Sequence, residues 1–407
     1  MLITSTQSSP TRTLLSTAEV ARRLGVKPQT VYAYVSRGLL RRDPASSHRN
    51  SLFAADEVER VATRARRPSR SGALELVIET ELTALDPEGH LHYRGRDAME
   101  LARFRSFEDV AGLLWDGDPL APWELSREDR ELIGSVGSAL PAAIRPVDLI
   151  PVAVATLGAA DEQRADRRPD AVRRAAGRML AGALELISRG AASPDRCAAA
   201  RLWVAVREDA KRPRPAQAAA LNAALVLLAD HELAASTLAT RVAASAWADP
   251  YRVVLAGLGP LGGSLHGGAS LAVEVLLTEA RSPAGAFTVL DRHVAAGSVP
   301  GFGHRVYRGR DPRGEHLLGR LRSVSDDEQA MLAVEATIAA AESLGLPSPN
   351  VDFGLAALCQ VMKLRPGSAS TIFTLARMVG LVAHALEEYA HRLRFRPRAT
   401  YVGPVPR

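Results

Sequence analysis

The sequence contains only two cysteines among 407 residues, and it lacks the motifs of several common cofactor sites. Cys197 and Cys359 lie far apart, with no CxxC or Cys/His spacing around them, which excludes a disulfide framework and a zinc site of that kind. No GxxxxGK[ST] motif is present, and the glycine-rich run GLGPLGGSLHGG follows no predicted strand. Nucleotide binding by a P-loop or a Rossmann fold therefore has no support.

Long apolar runs are also missing. The chain has no stretch of about 18 uncharged apolar residues, and its first residues do not form a basic segment followed by an apolar one. We therefore expect no membrane span and no secretory signal, and we predict a cytoplasmic protein. With 47% hydrophobic and 24% charged residues, the composition is that of an ordinary globular protein, and the length favours more than one domain.

Basic residues are concentrated at one end of the chain. Residues 1–70 contain thirteen basic and five acidic side chains, whereas the remaining residues contain 38 basic and 40 acidic ones. Positive charge confined to one segment is typical of a module that binds a polyanion. The sequence thus predicts such a module joined to a nearly neutral domain with another task.

The segment from Thr17 to Leu40 predicts two short helices joined by a tight turn. Ser16 and Glu19 have the spacing of a capping box at the start of the first helix, and Gly25 ends that helix. Pro28 suits the first turn of the second helix, where its missing N–H costs nothing. Two helices in this arrangement would present the start of the second one to a DNA major groove.

The residues after Gly38 predict the rest of a winged helix-turn-helix. A polar stretch from Leu39 to Phe53 fits a short β wing that carries arginines, and residues 55–66 fit a helix. The pattern resembles the MerR-like or excisionase-like helix-turn-helix domain, here residues 1–70 with a basic linker, and implies binding of double-stranded DNA. The residues expected to contact DNA are Lys27, Gln29, Thr30, Tyr32, Arg37, Arg41 and Arg42. The alternative is a helical hairpin with a solvated basic face.

From Ala73 onward, long apolar segments with helical periodicity dominate. Examples are Asp170 to Arg189, Ala216 to Ala248 and Ser370 to Leu393, which are rich in Ala and Leu. The body is therefore predicted to be mostly α-helical. A small β region is expected from Leu76 to Gly95, where apolar and polar residues alternate on both sides of a DPEG turn.

Four residues of the body suggest a site for an anionic substrate. His266 precedes two glycines and a helix pattern, where the helix dipole favours a neutral imidazole that donates a hydrogen bond. His304 lies among glycines and arginines, which suit a ligand with several carboxylates or phosphates. Asp352 stands at a helix start, and Arg377 is a cation among apolar neighbours that needs an anionic partner. Each also has a plain structural explanation, such as a capping residue or a solvated loop.

Seven motifs follow one another in a characteristic order: YRGRDAMELA, ADHE, LHGGAS, PGFGHRVYRGRDPR, NVDF, ARMVGLVAH and RPRATYVG. This set resembles the citrate synthase and 2-methylcitrate synthase family from about Leu76 to Gly403. The resemblance implies an almost all-helical body with a large domain, 73–264 and 359–407, and a small domain, 265–358. It also implies a homodimer with an active site between the domains and an acyltransferase activity. A coenzyme A thioester would be a substrate, with no other cofactor and no metal.

The resemblance also assigns roles to individual residues. Asp352 would remove a proton from the acyl group, His266 would stabilise the enolate, and His304 would polarise the carbonyl group of oxaloacetate. The residues implied to hold oxaloacetate or citrate are His231, Arg313, Arg377 and Arg396, the last reaching across from the partner subunit. Arg308 would lie near coenzyme A. The implied reaction joins acetyl-CoA or propionyl-CoA to oxaloacetate and releases coenzyme A and citrate or 2-methylcitrate.

The chain departs from the family motifs at several positions. Ser270 replaces the asparagine of LHGGAN, and Ala234 replaces the asparagine common after DHEL. These departures and the basic leader keep a second hypothesis open: a transcription regulator whose body senses coenzyme A thioesters or di- and tricarboxylates without turnover. The retained His266, His304 and Asp352 favour the enzyme, because a sensor would need the arginines but not a carboxylate base.

Overall fold

The computed structural model of the chain describes residues 13–24, 28–36, 40–47, 51–55, 57–58, 77–86, 88–117, 123–193, 195–207, 209, 211–264, 266–280, 282–392 and 394–396. The chain divides into two compact units, one up to Glu79 and one from Thr80 onward. The division of the body into a large and a small domain remains a prediction.

The first unit contains the two predicted short helices, Thr17–Leu24 and Pro28–Ser36. The capping box forms at the start of the first helix, because the Ser16 N–H donates to the Glu19 carboxylate at 2.8 Å and the Glu19 N–H donates to the Ser16 hydroxyl at 3.4 Å. The core of this unit is a small set of buried apolar side chains from both helices and the following residues. They are Val20, Ala21, Val31, Leu40, Phe53 and Val58.

Two short strands, Leu14–Ser16 and Leu52–Ala54, pair antiparallel in the first unit. The strand at the end of the predicted wing therefore pairs with the segment before the first helix. Residues 41–47 form a loop, in which the Ser46 N–H donates to the Asp43 carbonyl oxygen at 2.9 Å. Turn-forming residues in this stretch explain why it is a loop rather than a strand. Lys27, Arg37, Arg49 and most of the predicted helix 55–66 lie outside the described residues.

The second unit is built mostly from helices, as the sequence predicts. Its described helices are Ala98–Phe104, Phe107–Leu114, Arg127–Ala139, Pro146–Ala160, Pro169–Ser188, Ala198–Val206, Pro215–Leu228, Ala235–Ser245, Pro250–Leu261, Ala269–Glu279, Pro283–Ala295, Pro312–Leu318, Leu321–Val324, Glu328–Ser343, Val351–Val361 and Ser368–His391. The predicted β region is an antiparallel sheet of the strands Thr83–Leu85, Leu91–Tyr93 and Arg96–Asp97. Six of these helices begin at a proline, whose fixed φ and missing N–H suit a first turn.

The apolar segment Ala216 to Ala248 is divided into two helices in the structure. Residues 229–234 interrupt it, with Glu232 in the left-handed region at φ 58°. The buried Asp230 stabilises this turn, since its Oδ2 accepts a hydrogen bond from the Glu232 N–H at 3.2 Å. His231 therefore lies in a turn between two helices.

The helix Ser368–His391 lies in the core of the body. The helices Pro215–Leu228, Ala235–Ser245 and Pro250–Leu261 pack against it. Its length and composition alone would let it cross a membrane. However, 94% of its most apolar stretch is buried inside the body, as in the core helix of a globular domain.

A chain of buried charged groups connects this helix to its neighbours. Arg241 is fully buried, and its Nε donates to Glu388 Oε2 at 3.0 Å while its Nη1 donates to His384 Nδ1 at 2.9 Å. The other ring nitrogen of His384, Nε2, lies 3.3 Å from Asp230 Oδ1. A guanidinium can only donate, so the proton of the neutral ring is assigned to Nε2, which faces Asp230. The turn that carries His231 is thus tied to the core helix.

Gly380 allows this helix to approach the turn before His231 closely. A Cβ at Gly380 would lie 2.4 Å from the Ala229 carbonyl oxygen and 2.4 Å from Asp230 Oδ1. We expect Gly380→Ala to lower the free energy of unfolding by about 1–3 kcal/mol, measured by urea denaturation. In the control Gly134→Ala, the added Cβ meets nothing within 4 Å on an exposed helix face. That variant should gain about 0.5–1 kcal/mol. Equal stabilities of the two variants would contradict the close packing.

Candidate active site

A cavity of about 710 Å³ in the body brings together most of the site residues expected from the sequence. Its lining includes three histidines, one aspartate, two buried arginines and one exposed arginine, namely His231, His266, His304, Asp352, Arg313, Arg377 and Arg305. They come from separate parts of the sequence, so the cavity forms only when the body folds. Arg308 and Arg396 are exposed and do not line this cavity.

One asparagine holds the His304 loop against the helix that carries Asp352. Gly301 and Gly303 have φ values of 87° and 74°, which favour glycine and let the loop turn sharply. The Asn350 Nδ2 donates to the Gly303 carbonyl oxygen at 2.9 Å. Its Oδ1 accepts from the Asp352 N–H at 3.0 Å and thereby caps the helix. The positions of His304 and Asp352 are therefore coupled.

His304 presents an N–H group to the cavity. Its Nδ1 accepts hydrogen bonds from the backbone N–H groups of Val306 and Tyr307, at 3.1 and 3.3 Å. A neutral imidazole whose Nδ1 accepts carries its proton on Nε2. That Nε2 lies 3.4 Å from Arg313 Nη2. The hydrogen-bond donors of His304 and Arg313 thus lie side by side, an arrangement that suits a ligand with several oxygen atoms.

The two buried arginines of the cavity differ in their partners. Arg313 is buried and forms a bidentate pair with Asp311, with Nε–Oδ1 at 3.0 Å and Nη2–Oδ2 at 2.9 Å. Arg377 is 1% exposed, and its Nε donates to the carbonyl oxygen of Leu228 at 3.0 Å. Within the described part of the chain, no carboxylate forms an ion pair with the Arg377 guanidinium. An anionic ligand would stabilise such a buried cation.

Burial keeps the histidines of the cavity uncharged. It lowers the pKa of His266 to about 4, and the positive charge of Arg377 acts in the same direction. Burial and the charge of Arg313 likewise lower the pKa of His304 to about 4. The pKa of His231 is lowered well below its ordinary value, first by burial and then by the nearby arginines. At neutral pH the three rings form hydrogen bonds without adding charge.

Asp352 has the environment of a carboxylate base. Burial raises its pKa above the ordinary value, while a hydrogen bond from the Ser270 hydroxyl to Oδ1 and the charge of Arg313 oppose the rise. A carboxylate with a raised pKa is a better base than one in water. Together with neutral donors and a buried cation, it can remove a proton next to a carbonyl group and stabilise the resulting charge.

Several supporting side chains do not follow from the sequence patterns. The Ser236 hydroxyl lies 2.8 Å from His266 Nε2, and the Tyr307 hydroxyl lies 3.2 Å from His231 Nε2. Ser236 lies outside the quoted motifs, and although Tyr307 lies within PGFGHRVYRGRDPR, that motif carries no signal for its contact with the distant His231. Asn350 did have one, because an asparagine directly before a helix pattern is a typical N-cap.

The first unit carries a second candidate site, on its second helix and the loop after it. Gln29, Thr30 and Tyr32 lie in the helix Pro28–Ser36, and the Tyr32 side chain is 46% exposed. The exposed Arg42 stacks on Tyr32, with its Cζ 5.7 Å from the ring centre. Exposed aromatic and guanidinium groups of this kind suit contacts to nucleic acid.

The rings of His266 and His304 are expected to stay neutral from about pH 8 to about pH 5, whereas an ordinary histidine titrates near pH 6.5. The reason is the combination of burial and neighbouring guanidinium groups, which penalises the charged ring. NMR titration of the imidazole carbons checks this, with signals assigned from His266→Gln and His304→Gln. A midpoint near pH 6.5 for either ring would contradict the described environment.

Comparisons with known proteins agree with this architecture. A family model described as the citrate synthase C-terminal domain matches residues 74–398, and one described as a helix-turn-helix domain matches residues 14–66. The citrate synthase of Acidithiobacillus ferridurans is 31% identical over 84% of this chain and 97% of its own length. The 2-methylcitrate synthase of Mycobacterium tuberculosis is 30% identical over 82% of this chain and 90% of its own length.

A solved structure shows the same fold. It is a ternary complex of carboxymethyl coenzyme A and oxaloacetate with the citrate synthase of Thermoplasma acidophilum. It is 26% identical to this chain with a TM-score of 0.67, covering 82% of this chain and 95% of that one. The chain therefore belongs to the citrate synthase family of acyltransferases and carries a helix-turn-helix domain before the synthase body.

Proposed function

We propose that the protein condenses acetyl-CoA or propionyl-CoA with oxaloacetate and hydrolyses the product to citrate or 2-methylcitrate and free coenzyme A. The supporting observation is that His266, His304 and Asp352 share one cavity with the buried Arg313 and Arg377. Relatives of this chain are named citrate synthase and 2-methylcitrate synthase. Oxaloacetate has two carboxylates, which suit the guanidinium groups of this cavity.

The first step is formation of an enol or enolate from the thioester. Asp352 takes a proton from the carbon next to the thioester carbonyl, and His266 donates a hydrogen bond to the carbonyl oxygen as negative charge develops there. When the Ser236 hydroxyl donates to His266 Nε2, the proton of the neutral ring resides on Nδ1. The low pKa of His266 suits this role, because the ring donates a hydrogen bond without itself becoming an imidazolium.

The second step forms the carbon–carbon bond. The nucleophilic carbon attacks the keto group of oxaloacetate, and the Nε2–H of His304 stabilises the oxygen that gains negative charge. Arg313 and Arg377 hold the carboxylates, and His231 supports the same ligand. Water then cleaves the thioester bond, which yields the free carboxylate and the thiol of coenzyme A.

Two arginines outside this cavity also belong to the proposed site. Arg396 reaches the site of the partner subunit in a homodimer, and Arg308 binds near coenzyme A. The protein acts in the cytoplasm and uses no cofactor besides the thioester substrate. Both arginines are exposed, so their side chains are accessible to such partners.

We further propose that the first unit binds double-stranded DNA. The second helix and the following loop present Thr30, the exposed Tyr32 and the exposed Arg41 and Arg42. The proposed contact set also includes Lys27, Gln29 and Arg37. The basic residues concentrated in residues 1–70 attract the phosphates of DNA.

Purified protein should release free thiol from acetyl-CoA or propionyl-CoA only when oxaloacetate is present. The Asp352→Ala variant should lose this activity, because it removes the proposed base. Among the described residues, Glu232 is the other carboxylate that lines the cavity. The matched control is Asp291→Ala, an exposed aspartate on the helix Pro283–Ala295, which should retain activity. Thiol release no faster than without oxaloacetate, with citrate binding retained, would refute the enzyme and support the regulator hypothesis.

The full chain should bind duplex DNA, and this binding should weaken as the salt concentration rises. Deletion of residues 1–70 should abolish the binding. Arg41→Gln and Arg42→Gln should each reduce the salt slope by about one phosphate contact. Arg127→Gln, at an exposed position of the body, serves as the control. Fluorescence anisotropy with a labelled duplex measures these affinities. An affinity unchanged by the deletion would refute the assignment of the DNA-binding unit.

A further inference from the structure

Ser270 contacts the proposed base from a neighbouring helix. It is the second residue of the helix Ala269–Glu279, it is 0% exposed, and its hydroxyl donates a hydrogen bond to Asp352 Oδ1. Asp352 is the second residue of the helix Val351–Val361, and the two helices pack together. The bond therefore joins the starts of two packed helices.

The hydrogen bond leaves the two carboxylate oxygens of Asp352 in different environments. Oδ1 accepts from Ser270, whereas Oδ2 has no hydrogen-bond partner among the residues that the structure describes. Asp352 lines the cavity, so Oδ2 is the oxygen left for a ligand. A carboxylate held through one oxygen keeps one preferred orientation, which proton abstraction from carbon requires.

Serine occupies the position where the family motif LHGGAN has asparagine. The hydroxyl of serine is one bond closer to the backbone than the amide nitrogen of asparagine. In this chain the shorter side chain still supplies a donor, because the helix starts lie close enough for direct contact. Serine at this position therefore offers the Asp352 carboxylate a hydrogen-bond donor.

We propose that Ser270 is a positioning residue for the enolisation step, because its hydroxyl orients the Asp352 carboxylate so that Oδ2 accepts the α-proton of the thioester. This inference rests on the proposed condensation. The hydroxyl remains a neutral donor throughout, and the proton moves from carbon to Oδ2. Without the hydroxyl, the carboxylate turns more freely and loses a donor that favours its charged form.

The other charged and titratable groups around Asp352 stay the same when Ser270 is changed. Arg313 and Arg377 lower its pKa, and Asp311 raises it. Further charged or titratable groups that line the same cavity are His231, Glu232, His266, His304 and Arg305. A pH shift caused by changing Ser270 alone therefore reports on the single hydrogen bond.

The kinetic test compares Ser270→Ala with Ser270→Thr, which keeps the hydroxyl, and with Ser343→Ala, a change of an exposed serine on the helix Glu328–Ser343. In Ser270→Ala we expect kcat to fall by about 10- to 100-fold, with the KM for oxaloacetate unchanged. The acid limb of kcat/KM for the thioester should move to higher pH, because the base is protonated more easily. Ser270→Thr and Ser343→Ala should keep the profile of the unchanged protein.

A second measurement does not depend on turnover. Infrared difference spectroscopy follows the protonated carboxyl band of Asp352, identified by its loss in Asp352→Asn. The midpoint of this band should lie at higher pH in Ser270→Ala than in the unchanged protein or Ser343→Ala. Equal midpoints would overturn the role of Ser270. A shifted midpoint in a protein that releases no thiol would support the Ser270 contact and refute the condensation.

Discussion

The candidate active site depends on the carboxylate of Asp311, which connects the arginine-bearing helix to the helix of the proposed base. Asp311 is 2% exposed, and its Oδ1 and Oδ2 bind the Arg313 guanidinium. Oδ2 also accepts a hydrogen bond from the Val351 N–H at 3.0 Å. Removing one partner of such a buried pair typically costs about 3–5 kcal/mol, because the other charge stays buried. This side chain therefore ties Arg313 to the start of the helix that carries Asp352.

The charge of the cavity is set by its few ionised side chains. Burial and nearby guanidinium groups keep the three histidines neutral, so they form directional hydrogen bonds without adding charge. Behind His231, the Arg241–His384–Asp230 chain leaves a negative group next to the turn. The buried positive charge of the cavity thus comes from Arg313 and Arg377, the two arginines proposed to hold the carboxylates of the ligand.

The sequence predicts the helices and the main site residues because both have local signals. Helical periodicity identifies Pro169–Ser188 and Ser368–His391 within two residues of the predicted ends. The motifs around His304 and Asp352 identify the site. Contacts between distant segments lack such a signal, which is why Ser236, Tyr307 and the pairing of Leu14–Ser16 with Leu52–Ala54 were not predicted. Those contacts depend on tertiary packing, which no short sequence window encodes.

The nearly unpartnered guanidinium of Arg377 has a consequence for how long the folded protein survives. Burying this cation without a counterion weakens the native state, since its pKa is lowered by burial. A dicarboxylate that binds only the native chain removes this penalty and shifts the equilibrium towards it by mass action. With the ligand proposed above, a chain that has bound the dicarboxylate would therefore unfold less often than one that has not.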